Sequence, residues 1–135
     1  MNKLVKVVSR DKLYEEYLKA LNGILNLTDR ELELMVKLIE FDIGFTPAPG
    51  VAKNVASTAN RKIIRSTLRI TSDNLSRYIS KFKRDGLLVK GKAEDELYVN
   101  RILIPDLIKD RVQITIILKT EDATTENSSN IHTVG

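Results

Sequence analysis

The spacing of apolar residues changes period along this chain, and each change marks an element. Lys3–Val8 carries the β-branched residues Val5, Val7 and Val8, which predicts a short strand. Leu13, Tyr14, Tyr17, Leu18 and Leu21 then recur at helical spacing. They predict a helix over Asp11–Leu21, capped by Ser9 and stopped at Asn22-Gly23, where both residues tolerate a left-handed backbone. A capping box, Thr28-Asp29-Arg30-Glu31, opens the next helix. The Thr28 hydroxyl can accept from the Glu31 N–H, and the Glu31 carboxylate can accept from the Thr28 N–H. Behind the box, Leu32, Met35, Val36 and Ile39, with Leu34, Leu38 and Phe41, form an apolar surface too wide for one contact. A helix over Asp29–Phe41, buried on more than one side, is expected.

Pro47 and Pro49 prevent the helix from continuing. Gly44–Gly50 is not a phosphate loop, because Gly50 is followed by Val51 rather than Lys-Ser/Thr, so it is expected to be a stiff connector. Val51–Val55 reads as a helical turn. Ser57 or Thr58 caps a short helix over Asn60–Thr67, with Ile63 and Ile64 turned inward. Leu68-Arg69-Ile70 forms a turn, and Thr71 or Ser72 caps a helix over Asp73–Asp85. Its apolar face is Leu75, Tyr78, Ile79 and Phe82. Gly86 ends this helix, and Leu87–Lys90 and Leu97–Leu103 read as two strands around the turn Gly91–Glu96. Pro105-Asp106 starts a further turn. Arg111–Lys119 alternates Val112, Ile114, Ile116 and Leu118 with Gln113, Thr115 and Ile117, which predicts a strand. Thr120–Gly135 is polar and is expected to be an arm that only a neighbour orders. The expected core is Leu32, Met35, Val36, Ile39, Ile63, Ile64, Leu75, Ile79, Phe82 and Leu88.

Composition narrows the function classes. The chain has no cysteine, which excludes disulfides, thiolate nucleophiles and cysteine-ligated metals. Its one histidine, His132, lies in the polar tail, so no Ser-His-Asp or Cys-His set can form in the core. No enzyme, cofactor or metal is expected. Glu15-Glu16 and the pair Glu31 and Glu33 sit on amphipathic helices, where solvation explains them. No apolar run approaches the ~20 residues that span a bilayer, and Met1–Val8 is too short and too charged for a secretory signal. A cytoplasmic location is expected, with a virion as the alternative.

The net charge of +4 is unevenly spread. From Asn60 to Lys92 there are ten basic residues and only two acidic ones, Asp73 and Asp85. The remainder of the chain is net acidic. Concentrated positive charge attracts polyanions.

The order helix, connector, short helix, tight turn, capped helix, glycine and hairpin resembles the winged helix-turn-helix superfamily, including MarR-like regulators. The residues carrying the resemblance are Ile70-Thr71-Ser72-Asp73-Asn74-Leu75-Ser76-Arg77-Tyr78-Ile79 and Phe82-Lys83-Arg84-Asp85-Gly86-Leu87-Leu88. The implied fold is α+β: a winged helix-turn-helix with three core helices, an extra N-terminal helix, a wing hairpin and additional N- and C-terminal strands. The boundaries are 1–27 for the N-terminal strand and helix, 28–104 for the winged core, 105–119 for the C-terminal strand and 120–135 for the tail.

The resemblance implies that helix 73–85 enters the major groove of double-stranded DNA. Asn74 and Arg77 would read bases, since Asn pairs with adenine and Arg with guanine through two bonds each. Ser76, Ser80, Lys81 and Arg84 would meet phosphates, as would Arg61 and Arg65 from the preceding helix. Two features depart from the family's pattern. The wing tip holds Glu94-Asp95-Glu96, with Lys90 and Lys92 at the wing's base to compensate. The termini look strand-like, whereas MarR-like regulators dimerise through terminal helices. The expected function is a small transcriptional or replication regulator. The alternative is a winged-helix module reused as a structural subunit, for instance in a phage portal or neck. Either reading implies a homo-oligomer or larger protein assembly, with no membrane partner.

Overall fold

The structure is a computed structural model and describes residues 2–123. Helix α1 spans Leu13–Leu25, behind a 3-10 turn at Arg10–Lys12. Ser9 makes no side-chain cap, and Asn22-Gly23 does not stop the helix. Instead the Asn22 side chain clamps Leu27 from both sides. Its Oδ1 accepts from Leu27 N at 2.8 Å, and its Nδ2 donates to Leu27 O at 3.0 Å. The left-handed residue that ends the helix is Asn26, with φ of 56°. Stopping there rather than four residues earlier lets Leu27 turn into the core.

Helix α2, Asp29–Ile43, starts from the capping box with both bonds present. Its buried residues Leu32, Leu34, Met35, Leu38 and Ile39 meet α1 on one side and the later elements on the other. The wide apolar surface in the sequence is thus used on several sides.

The connector turns at Ala48–Val51 and then runs extended. Val51–Val55 is not the helical turn expected. Val55 N donates to Leu97 O at 3.0 Å, and Leu97 N donates to Lys53 O at 2.8 Å, forming one parallel bridge. A free strand edge needed a backbone partner, and Val55 and Ala56 become buried by supplying it.

Helix α3 is Thr58–Leu68, capped by Ser57. Ile64 is fully buried, but Ile63 is 50% exposed, which corrects its expected place in the core. Adjacent helical residues point about 100° apart, so only one of the two isoleucines can face α2. The helix ends at Arg69, whose φ is 54°. The Arg30 guanidinium donates to the carbonyls of Leu68 and Arg69, so α2 caps the end of α3.

Helix α4 is Ser72–Arg84, with Thr71 as its cap. Leu75, Ile79 and Phe82 are buried, as the spacing predicts. Gly86, at φ of 80°, permits the sharp reversal that lets Leu87 N donate to Phe82 O at 2.8 Å. Strands β1, Leu88–Lys90, and β2, Leu97–Val99, pair antiparallel with Leu88 opposite Val99. The second strand stops short of Leu103 because the Asn100 side chain caps a 3-10 turn at Arg101–Leu103. Asn100 also donates to Gly86 O at 3.0 Å, which joins the two ends of the hairpin.

The described residues form an α+β arrangement of four helices and one two-stranded antiparallel hairpin, compatible with a winged helix. The additional terminal strands are not there. Lys3–Val8 and residues 112–119 belong to no strand, and Arg111 makes only an isolated bridge to Ile108. Their alternation is strand-like, but no sheet edge in the subunit takes them up. Of the polar tail, residues 124–135 lie outside the described residues, as does His132.

Candidate nucleic-acid interface

Helix α4 is the element on which the expected site residues converge. Its inner face is fixed by Leu75, Ile79 and Phe82 in the core. That burial leaves Asn74, Ser76, Arg77, Ser80 and Arg84 exposed on the opposite side. Ser76, Arg77, Ser80, Lys81 and Arg84 line one shallow, open groove together with Tyr78 and Glu31. Asn74 stands in the first turn, where its backbone N–H donates to the Thr71 hydroxyl at 3.2 Å and its side chain is left exposed. Among the described residues, Arg77 joins no ion pair or side-chain hydrogen bond, and Arg84 has only a long 3.9 Å approach to Asp85.

Arg61 is more than a surface cation. Its Nε donates to Ala56 O at 2.8 Å, and its Nη1 donates to the Ser76 hydroxyl at 3.4 Å. It therefore bridges the start of α3 to the exposed face of α4. Arg65 is exposed further along α3.

Lys81 is placed differently from the expectation. Its Nζ lies 2.5 Å from Glu31 Oε2, and Glu31 is buried. The ammonium is engaged by a buried carboxylate and stays partly exposed. Burial raises the Glu31 carboxyl, but the bonds from Lys81 and Thr28 outweigh it and hold the group below the usual glutamate range. The sequence shows Glu31 as a cap and as a solvated helix-face carboxylate, and its burial corrects the second expectation. Its partner lies fifty positions away, and no local spacing could show it.

The hairpin carries Lys90 at the end of β1 and Lys92 in the turn, both exposed. No described hydrogen bond or ion pair ties them to the row on α4. The acidic tip divides in two. Glu96 folds back over Gly91, where a Cβ would collide with its carboxylate, and its Oε1 accepts from Lys92 N at 2.9 Å. Glu94 and Asp95 point into solvent.

A second buried carboxylate, Asp42, supports the site from behind. It accepts from Val99 N at 2.8 Å, from Lys53 Nζ at 3.0 Å and from Arg101 Nη2 at 2.6 Å. The end of α2 is thereby fixed to β2 and to the connector. Burial raises this carboxyl, while Arg101, Val99 N–H and Lys53 together bring it below the usual aspartate range. An Asp inside the apolar run Phe41-Asp42-Ile43 was the signal that could have revealed it.

No group of three His, Cys, Asp or Glu side chains suited to a metal occurs among the described residues. No described helix is long and apolar enough to cross a membrane. No family model, curated protein or solved structure matches this chain.

Proposed function

We propose that this protein is a winged helix-turn-helix DNA-binding protein, a small regulator of transcription or replication that places α4 in the major groove. The observation that supports this is the division of α4. One face is locked in the core by three large side chains, and the other presents Asn74, Arg77, Ser80 and Arg84 without internal partners of any strength. A helix of thirteen residues is ~20 Å long, a length that lies readily in a major groove. Asn74 and Arg77 lie in its N-terminal half, from which such helices read base edges. Arg61, Arg65 and Arg84 meet phosphates, and Ser76 is held for the same purpose by Arg61. Lys81 supports the helix rather than the nucleic acid. The exposed pair Glu94 and Asp95 keeps the wing tip away from phosphates, so α3 and α4 carry the contact.

Fluorescence anisotropy with labelled duplex pools tests the reading. Binding at ~50 mM salt should weaken steeply by ~200 mM, as released counterions require. Absence of binding to random and genomic duplexes at low salt would sink it.

A second reading, in which the fold is an assembly module, is favoured by a separate observation. Leu4, Val5, Val7, Ile117 and Leu118 are exposed apolar residues on two terminal segments that belong to no helix or strand. Runs of exposed apolar residues mark protein contacts.

A further inference from the structure

The segment following Arg111 has the sequence of a strand and no strand to pair with. Residues 112–119 make no backbone hydrogen bond among the described residues. Ile116, Ile117 and Leu118 are 47%, 60% and 88% exposed. A segment with strand alternation and unpaired backbone groups is a template for another chain.

We propose that this arm pairs with the same arm of a second copy, antiparallel, about a two-fold axis through Ile116. The choice of occupant rests on self-complementarity. With Ile116 opposite itself, Ile114 of each copy faces Leu118 of the other. Arg111 then comes to the end where Glu121 opens the 3-10 turn Glu121–Ala123, so opposite charges meet at both ends of the ribbon. On the reverse face, Gln113 meets Lys119 and Thr115 meets Ile117. Neighbouring registers are worse. An axis through Thr115 sets Arg111 opposite Lys119, and an axis through Ile117 sets Ile114 opposite Thr120. Axes between residues match the apolar row to the mixed one. Like charges directly opposite destabilise a ribbon, and opposite charges and apolar pairs support it. Such an interface is isologous, so it closes at two copies along this edge. A two-stranded ribbon is marginal in water, so the association is weak and reversible. Arm pairing uses none of the α3 and α4 residues assigned to duplex binding, so each stands or falls separately.

The chain has no cysteine, so single introduced cysteines report the register cleanly. In the full-length protein, Ile116→Cys should oxidise readily to a disulfide dimer. Ile117→Cys, whose side chain projects from the reverse face and sits opposite Thr115, should do so ~10-fold more slowly, because its own counterpart lies beyond disulfide reach. Ile114→Cys alone should oxidise slowly, yet mixed with Leu118→Cys it should give the heterodimer. Sedimentation equilibrium of the unmodified protein should show a dimer that Ile116→Lys abolishes. Equal oxidation rates at positions 116 and 117 would overturn the proposal. A wild-type protein that stays monomeric near ~1 mM would overturn it as well.

Discussion

Lys81 Nζ sits 2.5 Å from Glu31 Oε2, joining the last turn of α4 to the first turn of α2. The carboxylate is buried and the ammonium is partly solvated. Glu31 is also the capping-box residue of α2, so one side chain closes a helix start and anchors a neighbouring helix.

Lys81 is therefore expected to affect stability before affinity. Lys81→Ala leaves Glu31 buried with only Thr28 as a partner. Because Lys81 is more than a third exposed, screening limits the loss to about 1 kcal/mol. Urea denaturation measures this directly. In duplex binding, Arg84→Ala should flatten the salt slope by about one unit, while Lys81→Ala leaves the slope near wild type. Equal flattening by the two substitutions would return Lys81 to the list of phosphate contacts.

Arg77 carries the base-reading claim. Arg77→Ala should cost about 1–3 kcal/mol of affinity for the preferred duplex and relax preference at one base position. Since the side chain has no described internal partner, the folded stability should be unchanged. Selection of bound duplexes from a random pool, run with both proteins, separates loss of preference from uniform weakening.

Asp42→Ala removes three bonds at once and leaves the Val99 N–H buried without an acceptor. A loss of about 2–3 kcal/mol is expected, at the upper end for an orphaned buried group near charges. Thermal denaturation by circular dichroism tests it. A wild-type midpoint in the variant would mean that Asp42 holds neither β2 nor the connector.

The same two carboxylates set the acid response. Both Glu31 and Asp42 have folded-state values below their unfolded ones of about 4. Their stabilisation is then fully present above about pH 5 and is lost as pH falls through the folded values. Asp42→Ala should accordingly differ most from wild type at neutral pH and least near about pH 3. Denaturant midpoints across that range check the sign, and a gap that widened on acidification would contradict it.

At the hairpin tip the two glutamates should separate. Glu94→Lys removes a carboxylate that keeps the tip off the phosphates and should tighten low-salt duplex binding. Glu96→Lys should loosen the turn instead, because it deletes the acceptor for Lys92 N–H. Amide exchange at Lys92, followed by NMR, distinguishes local loosening from a change of charge alone.

Much of this architecture is legible in the sequence because local rules agree there. Thr28-Glu31, Thr71 and Gly86 are punctuation whose physics needs no distant partner. Leu75, Ile79 and Phe82 mark an inner face by spacing alone. The reading fails where tertiary context decides. Ile63 and Ile64 are equivalent by composition, and only the position of α2 selects one. Alternation in Arg111–Lys119 describes two faces of a segment, but it carries no information about whether a sheet edge is within reach. The candidate site shows the same division. The exposed row Asn74, Arg77 and Arg84 follows from the helical wheel, whereas the capture of Lys81 by Glu31 and the bridging by Arg61 depend on contacts across elements.

Arg30 and Glu31 are adjacent in the chain, yet one holds the end of α3 and the other the last turn of α4. One turn of α2 thus fastens both later helices. Opening that turn would free the two together, so their slowest amides should exchange in one cooperative event rather than two. The chain would unfold both helices as a single block, with Thr28 as the latch.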